Sequence, residues 1–173
     1  DIDQDEQAYH DAGSADPAFF NLERHGGIEG HAQDLLEILQ SFGVTHCSLV
    51  GHSLGGLIGI FAAIARPAMF ERLILLGTSA RYLDAPGYKG GLTAAVFEMM
   101  LEATAANFHG WAMSYAPTAT RRPLEDPECQ TFLHSLLRIQ PDIMLAMAPA
   151  IFLGDYREQV KRCKTPSIIL QTE

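Results

Sequence analysis

A serine with a glycine two residues to either side, Gly51-His52-Ser53-Leu54-Gly55, is the segment of this chain best suited to chemistry. A hydroxyl acts as a nucleophile when it stands clear of its own backbone. It needs a base to take its proton and donors for the charge that develops on the attacked carbonyl. The flanking residues supply that setting. A short apolar run, Cys47-Ser48-Leu49-Val50, precedes the motif and a longer one, from Leu57 to Ala65, follows it. A strand, a sharp turn with serine at its apex and then a helix project the hydroxyl out of the sheet. The pattern assigns Ser53 as nucleophile and the backbone N–H of Leu54, at the helix start, as one oxyanion donor. Glycines at 51 and 55 are expected where the turn passes close to neighbouring backbone. Gly55, Gly56 and Gly59 on the opening turns cost helix propensity, so close packing is expected there too.

The elements that must hold this turn can be read around it. Residues 1–29 read as loop, broken by Gly13-Ser14, Asp16-Pro17 and Gly26-Gly27. Ala32, Leu35, Leu36 and Leu39 recur at helical spacing from Gly30 to Phe42, and Gly43 closes that helix. Thr45 to Val50 reads as a strand buried on both faces, and the helix after the serine stops at Arg66-Pro67. Leu73-Ile74-Leu75-Leu76 is a second buried strand. This strand–helix–strand unit predicts parallel pairing, with helices covering both faces of the sheet.

From Ser79 to Lys164 no strand signal appears. Apolar stripes at helical spacing (Leu92, Val96 and Met99; Trp111 and Tyr115; Phe132, Leu133 and Leu136; Ile143, Met147 and Ile151) predict four helices. A short fifth is expected from Asp155 to Cys163. Breaks are expected at Gly90-Gly91, Pro117, Pro123, Pro127 and Pro141, and a kink at Pro149. Ser167 to Gln171 is a third buried strand. Residues 1–78 and 165–173 therefore read as a partial α/β core, and 79–164 as an all-helical lid over its catalytic edge. Most lid side chains should pack on one another, and a minority should face Ser53 as an apolar pocket.

Bulk composition narrows the function classes. The chain has 173 residues, 47% hydrophobic and 19% charged, as a globular domain does. Its net charge of -9 argues against nucleic acid or an anionic membrane as partner. The acid is densest at the start, with Asp1, Asp3, Asp5, Glu6, Asp11, Asp16 and Glu23 and no lysine or arginine among them, which reads as a solvated, mobile segment. Cys47, Cys129 and Cys163 are far apart and form no C-x-x-C pair. They suit a reducing, cytoplasmic setting, with neither a disulfide framework nor a metal site. No apolar run is long enough to span a bilayer. The first residue is Asp1, and the chain reads as an internal fragment of a longer protein.

The region from about Gly13 to Glu173 resembles one subgroup of the α/β-hydrolase fold, that of the bacterial stress-response regulator RsbQ and the plant strigolactone and karrikin receptors. The resemblance is carried by Ala12-Gly13-Ser14, Gly51-His52-Ser53, Ile58-Gly59, Arg66-Pro67-Ala68-Met69-Phe70, Ser79-Ala80-Arg81-Tyr82-Leu83, Tyr88-Lys89-Gly90-Gly91, Asn107-Phe108 with Trp111, Pro141-Asp142 and Pro166-Ser167-Ile168-Ile169-Leu170-Gln171. The R-Y-L segment followed by Y-x-G-G is far more specific than G-x-S-x-G. The resemblance implies a Ser-His-Asp triad without cofactor, a four-helix lid and a deep apolar pocket. It implies Tyr82, Trp111, Tyr115 and Phe152 as pocket-lining positions, with His52 beside them as substrate-binding. The family often has Phe where this chain has Tyr82 and Tyr115, which makes the pocket more polar, so the family's ligand is not carried over.

The family's catalytic Asp lies just past the strand that here ends at Gln171-Thr172, its His lies past one further strand, and a second oxyanion donor lies before Asp1. Within the chain, Asp84 follows the second strand, an acid position some hydrolases use. His52 points along its strand and His109 and His134 sit in the lid, so none is placed as a base. Two functions are expected of the whole protein. One is a serine hydrolase of a small apolar ester or lactone. The other is a small-molecule sensor with slow turnover that recruits a protein partner through its lid. A plant-type homologue would be nuclear as well as cytoplasmic.

Overall fold

The structure, a computed structural model, describes residues 20–171. The acidic stretch before residue 20, the Ala12-Gly13-Ser14 motif and the breakers at Gly13 and Asp16 lie outside the described residues. The chain divides into two compact units, one comprising Leu22–Ala94 with Met147 onward and the other built on Ala95–Ala146.

The first unit carries the sheet. A single helical turn, α1 (Leu22–His25), leads into α2 (Ile28–Ser41). Strand β1 (Cys47–His52) is followed by α3 (Leu54–Ala65), a short 3-10 turn at Pro67–Met69 and strand β2 (Phe70–Leu76). Helix α8 (Arg157–Arg162) then leads into β3 (Ser167–Leu170). The strand order is β1-β2-β3 and both pairings are parallel. After a register shift at Cys47/Ser48, Leu49 pairs with Leu73 and His52 with Leu76; Leu73 in turn pairs with Ser167 and Leu76 with Leu170.

α1 corrects the reading of residues 1–29 as loop. One turn is too short for a periodic signal, and contacts distant in sequence hold it. Arg24 Nε donates to Asp34 Oδ1 at 2.8 Å, and its Nη2 donates to Glu37 Oε2 at 2.8 Å. His25 Nε2 lies 2.9 Å from Asp34 Oδ2.

Burial on the sheet is one-sided, against the expected two-sided covering. Ala32 and Leu36 of α2, Ile60, Ala62 and Ala63 of α3, and Leu73 and Leu75 of β2 form the core, with Leu49, Val160 and Cys163 packed against it. The facing row is open. Val50 pairs across β2 with Ile74, which pairs with Ile168, and Val50 is 60% and Ile168 47% exposed. Of the three described strands, only the middle one holds fully buried side chains, such as Leu73. The reason is topological. Strands laid down in the order β1-β2-β3 move in one direction, so right-handed crossovers put their helices on the same face.

The second unit is helical. α4 (Ala94–Ala106), α5 (Phe108–Thr120), α6 (Pro127–Leu137) and α7 (Pro141–Phe152) are the four expected helices, α7 continuing past Ala146 into the first unit. The stripe expected for α4 is not its buried face: Leu92 precedes the helix and Val96 and Met99 are exposed, while Phe97 and Thr104 are buried. Two starts are capped by side chains. Asn107 accepts from the N–H of Gly110, and Asp126 accepts from the N–H of Glu128 ahead of Pro127. Pro117, expected as a break, lies inside α5, and Pro149 lies inside α7. Flanking turns and tertiary packing carry the helix past each missing N–H; Ala116, beside Pro117, is fully buried. Ala112, Ala116, Cys129, Leu133 and Leu136 form this unit's core.

Candidate active site

The serine turn follows from strain and close packing. Ser53 stands at φ 51°, ψ -118°, between the last residue of β1 and the first of α3. Only one other described non-glycine residue, Arg121, has positive φ. A non-glycine residue is held there only when its surroundings over-determine it. Those surroundings are visible. The N–H of Ser53 donates to the Leu76 carbonyl at 2.8 Å, and its carbonyl accepts from Gly56 N–H at 3.1 Å and Thr78 Oγ1 at 3.2 Å.

The glycines divide into two kinds. A Cβ at Gly51 would stand 2.6 Å from the Gly56 backbone. One at Gly56 would strike the Thr78 hydroxyl, and one at Gly59 would strike Leu49 Cδ2. Gly55 is different: nothing lies within 4 Å of its Cβ position. The clash expected two residues after the serine is absent, because that side of the first turn of α3 faces open space.

Ser53 is half-buried, and its Oγ lies 3.3 Å from the Tyr82 hydroxyl. The Tyr82 ring meets Phe152 edge-on, centroids 5.4 Å apart. Leu54 is the first residue of α3, so its N–H has no carbonyl one turn earlier in the helix to bond and belongs to the positive end of the helix. His52 ends β1 and is exposed, its ring beside Gly77. Five of the seven expected positions (His52, Ser53, Leu54, Tyr82 and Phe152) thus belong to the first unit.

Trp111 and Tyr115 belong to the helical unit. They stack face to face along α5, centroids 5.2 Å apart and planes within 9°, between Phe108 and Phe132. Asp84 is spent on its own loop, where Oδ1 accepts from the N–H groups of Gly90 and Gly91 at 2.8 and 2.9 Å.

Sequence reasoning missed three contributors. Thr78 braces the serine carbonyl, and nothing in its local sequence marks it. Arg81 and Asp155 meet at 2.8 Å although 74 residues apart. The Arg157 guanidinium bonds both oxygens of Asp155 and, together with Arg81, holds that carboxyl far below the usual carboxylate range. Among the described residues no group of three or more His, Cys, Asp or Glu side chains is arranged to hold a metal ion. No described helix is long and apolar enough to cross a membrane.

The model of the α/β hydrolase fold matches residues 10–172. The chain belongs to the α/β hydrolase family. It is 34% identical to a strigolactone esterase of Arabidopsis thaliana over 161 residues, 93% of this chain and 60% of that protein. It is 34% identical to karrikin insensitive 2 receptor CA of Petunia hybrida, with 93% and 60% covered. Among solved structures, a hydrolase from Oleispira antarctica superposes with a TM-score of 0.84 at 26% identity, covering 92% of this chain and 59% of that one. The α/β hydrolase described here thus spans about 60% of the length of the curated relatives it matches.

Proposed function

We propose that the whole protein is a serine hydrolase in which Ser53 attacks the carbonyl of a small, largely apolar ester or lactone. The observation that carries the reading is the Ser53 backbone, held at positive φ where a parallel strand meets a helix. On attack, the oxyanion is received by the N–H of Leu54 at the positive end of α3, and water later releases the acyl group. We place the aspartate and histidine that activate the serine outside these 173 residues; the chain spans about 60% of the length of these relatives, which leaves room for them. Residues 79–164 serve as the lid insert, and Tyr82 and Phe152 line the pocket beside the serine, with His52 at the end of β1. The Tyr82 hydroxyl favours a ligand with a polar function on an apolar body.

The test is covalent labelling by a fluorophosphonate. A chain extended to the relatives' length is labelled at Ser53, Ser53→Ala abolishes labelling, and the 173-residue chain reacts far more slowly. Equal rates for the two lengths would overturn the placing of the activators outside this chain. A relative named as a karrikin insensitive receptor favours a second reading, in which the same pocket senses a ligand with slow turnover and the lid recruits a protein partner. A ligand-dependent shift in melting temperature with negligible turnover of p-nitrophenyl esters favours the sensor; rapid turnover favours the plain hydrolase.

A further inference from the structure

One carboxylate ties together the two segments by which the chain leaves β2 and returns toward β3. Asp155 Oδ2 accepts from Arg81 Nη1 at 2.8 Å, and the Arg157 guanidinium grips the same carboxylate through Nε at 2.8 Å and Nη2 at 2.7 Å. Arg81 does not end there, because its Nε donates to the Leu83 carbonyl at 2.9 Å. Its own carbonyl accepts from Ser79 Oγ at 2.8 Å and Tyr88 Oη at 3.1 Å, and Arg157 lies over the Tyr88 ring, 4.7 Å from its centroid. Next to this clasp, the N–H of Tyr156 donates to the Ala80 carbonyl at 2.8 Å. The residue framed by all these contacts is Tyr82. Both carbonyls flanking it are engaged, its own accepts from Leu92 N–H at 3.0 Å, and its hydroxyl meets Ser53.

We propose that Asp155 is a positioning residue: through Arg81 it fixes the segment that sets the Tyr82 hydroxyl against Ser53 Oγ. The inference rests on the reading of Ser53 as the reactive group. The partners are partly exposed, with 18% of the Arg81 side chain and 35% of that of Asp155 open to solvent. Exposed ion pairs contribute little to global stability. What this one fixes is geometry, since a planar guanidinium that bonds a carboxylate and a neighbouring carbonyl together has one orientation. The carboxylate also separates two cations. Without its charge, Arg81 and Arg157 repel each other, and the segment that carries Tyr82 is released.

Fluorine NMR of the protein labelled with 3-fluorotyrosine tests this without requiring turnover. The Tyr82 line is identified by its loss in Tyr82→Phe, and in the native protein it shifts on Ser53→Ala. In Asp155→Asn the line is expected to move or split and to lose its response to Ser53→Ala, while the Tyr115 line stays in place. Asp155→Glu, which keeps the anion, restores the response. A Tyr82 line in Asp155→Asn that coincides with the native one and still responds to Ser53→Ala overturns the proposal. If Asp155→Asn does not fold, Arg81→Lys serves instead. It keeps the charge but replaces the planar fork, whose Nε and Nη1 span the Leu83 carbonyl and Asp155, with one ammonium nitrogen on a flexible stem, so it too must lose the response, and a retained response overturns the proposal. Absence of fluorophosphonate labelling would count against the hydrolase reading alone and leave the Tyr82 result standing.

Discussion

A methyl group at position 56 has no room, while one at position 55 has all it needs. At Gly56 it would press on the Thr78 hydroxyl that braces the Ser53 carbonyl, and at Gly55 it would meet nothing within 4 Å. Gly56→Ala is therefore expected to lower unfolding stability by about 1–3 kcal/mol, the usual cost of forcing a methyl into packed surroundings. Gly55→Ala is expected to be neutral or to stabilise by up to about 1 kcal/mol through helix propensity. Urea unfolding at unchanged m-value measures both, and equal losses at the two positions would contradict the contact geometry. The serine turn itself was legible in sequence because its glycines and flanking apolar runs are local. Its supports were not. Tyr82 and Thr78 stand 29 and 25 residues from Ser53, and only the fold brings them there.

Elements whose signal is periodic were readable, and those held by distant partners were not. Helices α4 to α7 run for 11 to 13 residues and carry apolar residues at helical spacing, whereas α1 is four residues kept in place by Asp34 and Glu37. Pro117 looked like a stop because sequence shows the missing N–H but not the packing around Ala116. The start of α5 is more exposed to test. Asn107 Oδ1 accepts from Gly110 N–H at 2.9 Å, so Asn107→Ala should cost about 1 kcal/mol and Asn107→Asp almost nothing, by thermal unfolding. The clasp between the 79–93 segment and α8 has its own pH signature. The Asp155 carboxyl is held below its ordinary value by Arg157 and Arg81, so its contribution is complete above the unfolded value of about 3.9. It is lost as pH falls below that value toward the depressed one. Acid unfolding of the native protein should carry this component, and Asp155→Asn should remove it; identical acid profiles would count against it.

Across the whole molecule the sheet is an asymmetric object. Helices α2, α3 and α8 cover the face that carries Leu49, Leu73 and Leu75. The opposite face shows the row Val50, Ile74 and Ile168, continued by Leu76 and Leu170, with Val50 60% and Leu170 56% exposed. β1 and β3 each keep one edge without a strand partner among the described residues. Apolar edge strands of this kind pair with whatever strand they meet unless a charge or a covering layer prevents it. The net charge of -9 opposes association, but its repulsion is screened beyond about 8 Å at physiological salt. The 173-residue chain is therefore expected to bind an apolar dye and to associate with rising concentration, more strongly at high salt. Ile168→Lys, in the middle of the open row, should reduce both effects without unfolding the core, because Ile168 is already 47% exposed. A chain extended to the relatives' length should lose most of the dye binding with no substitution at all. Sedimentation velocity at two salt concentrations, read beside dye fluorescence, decides the matter. A 173-residue chain that stays monomeric and dye-free at high salt would mean that this face is covered after all.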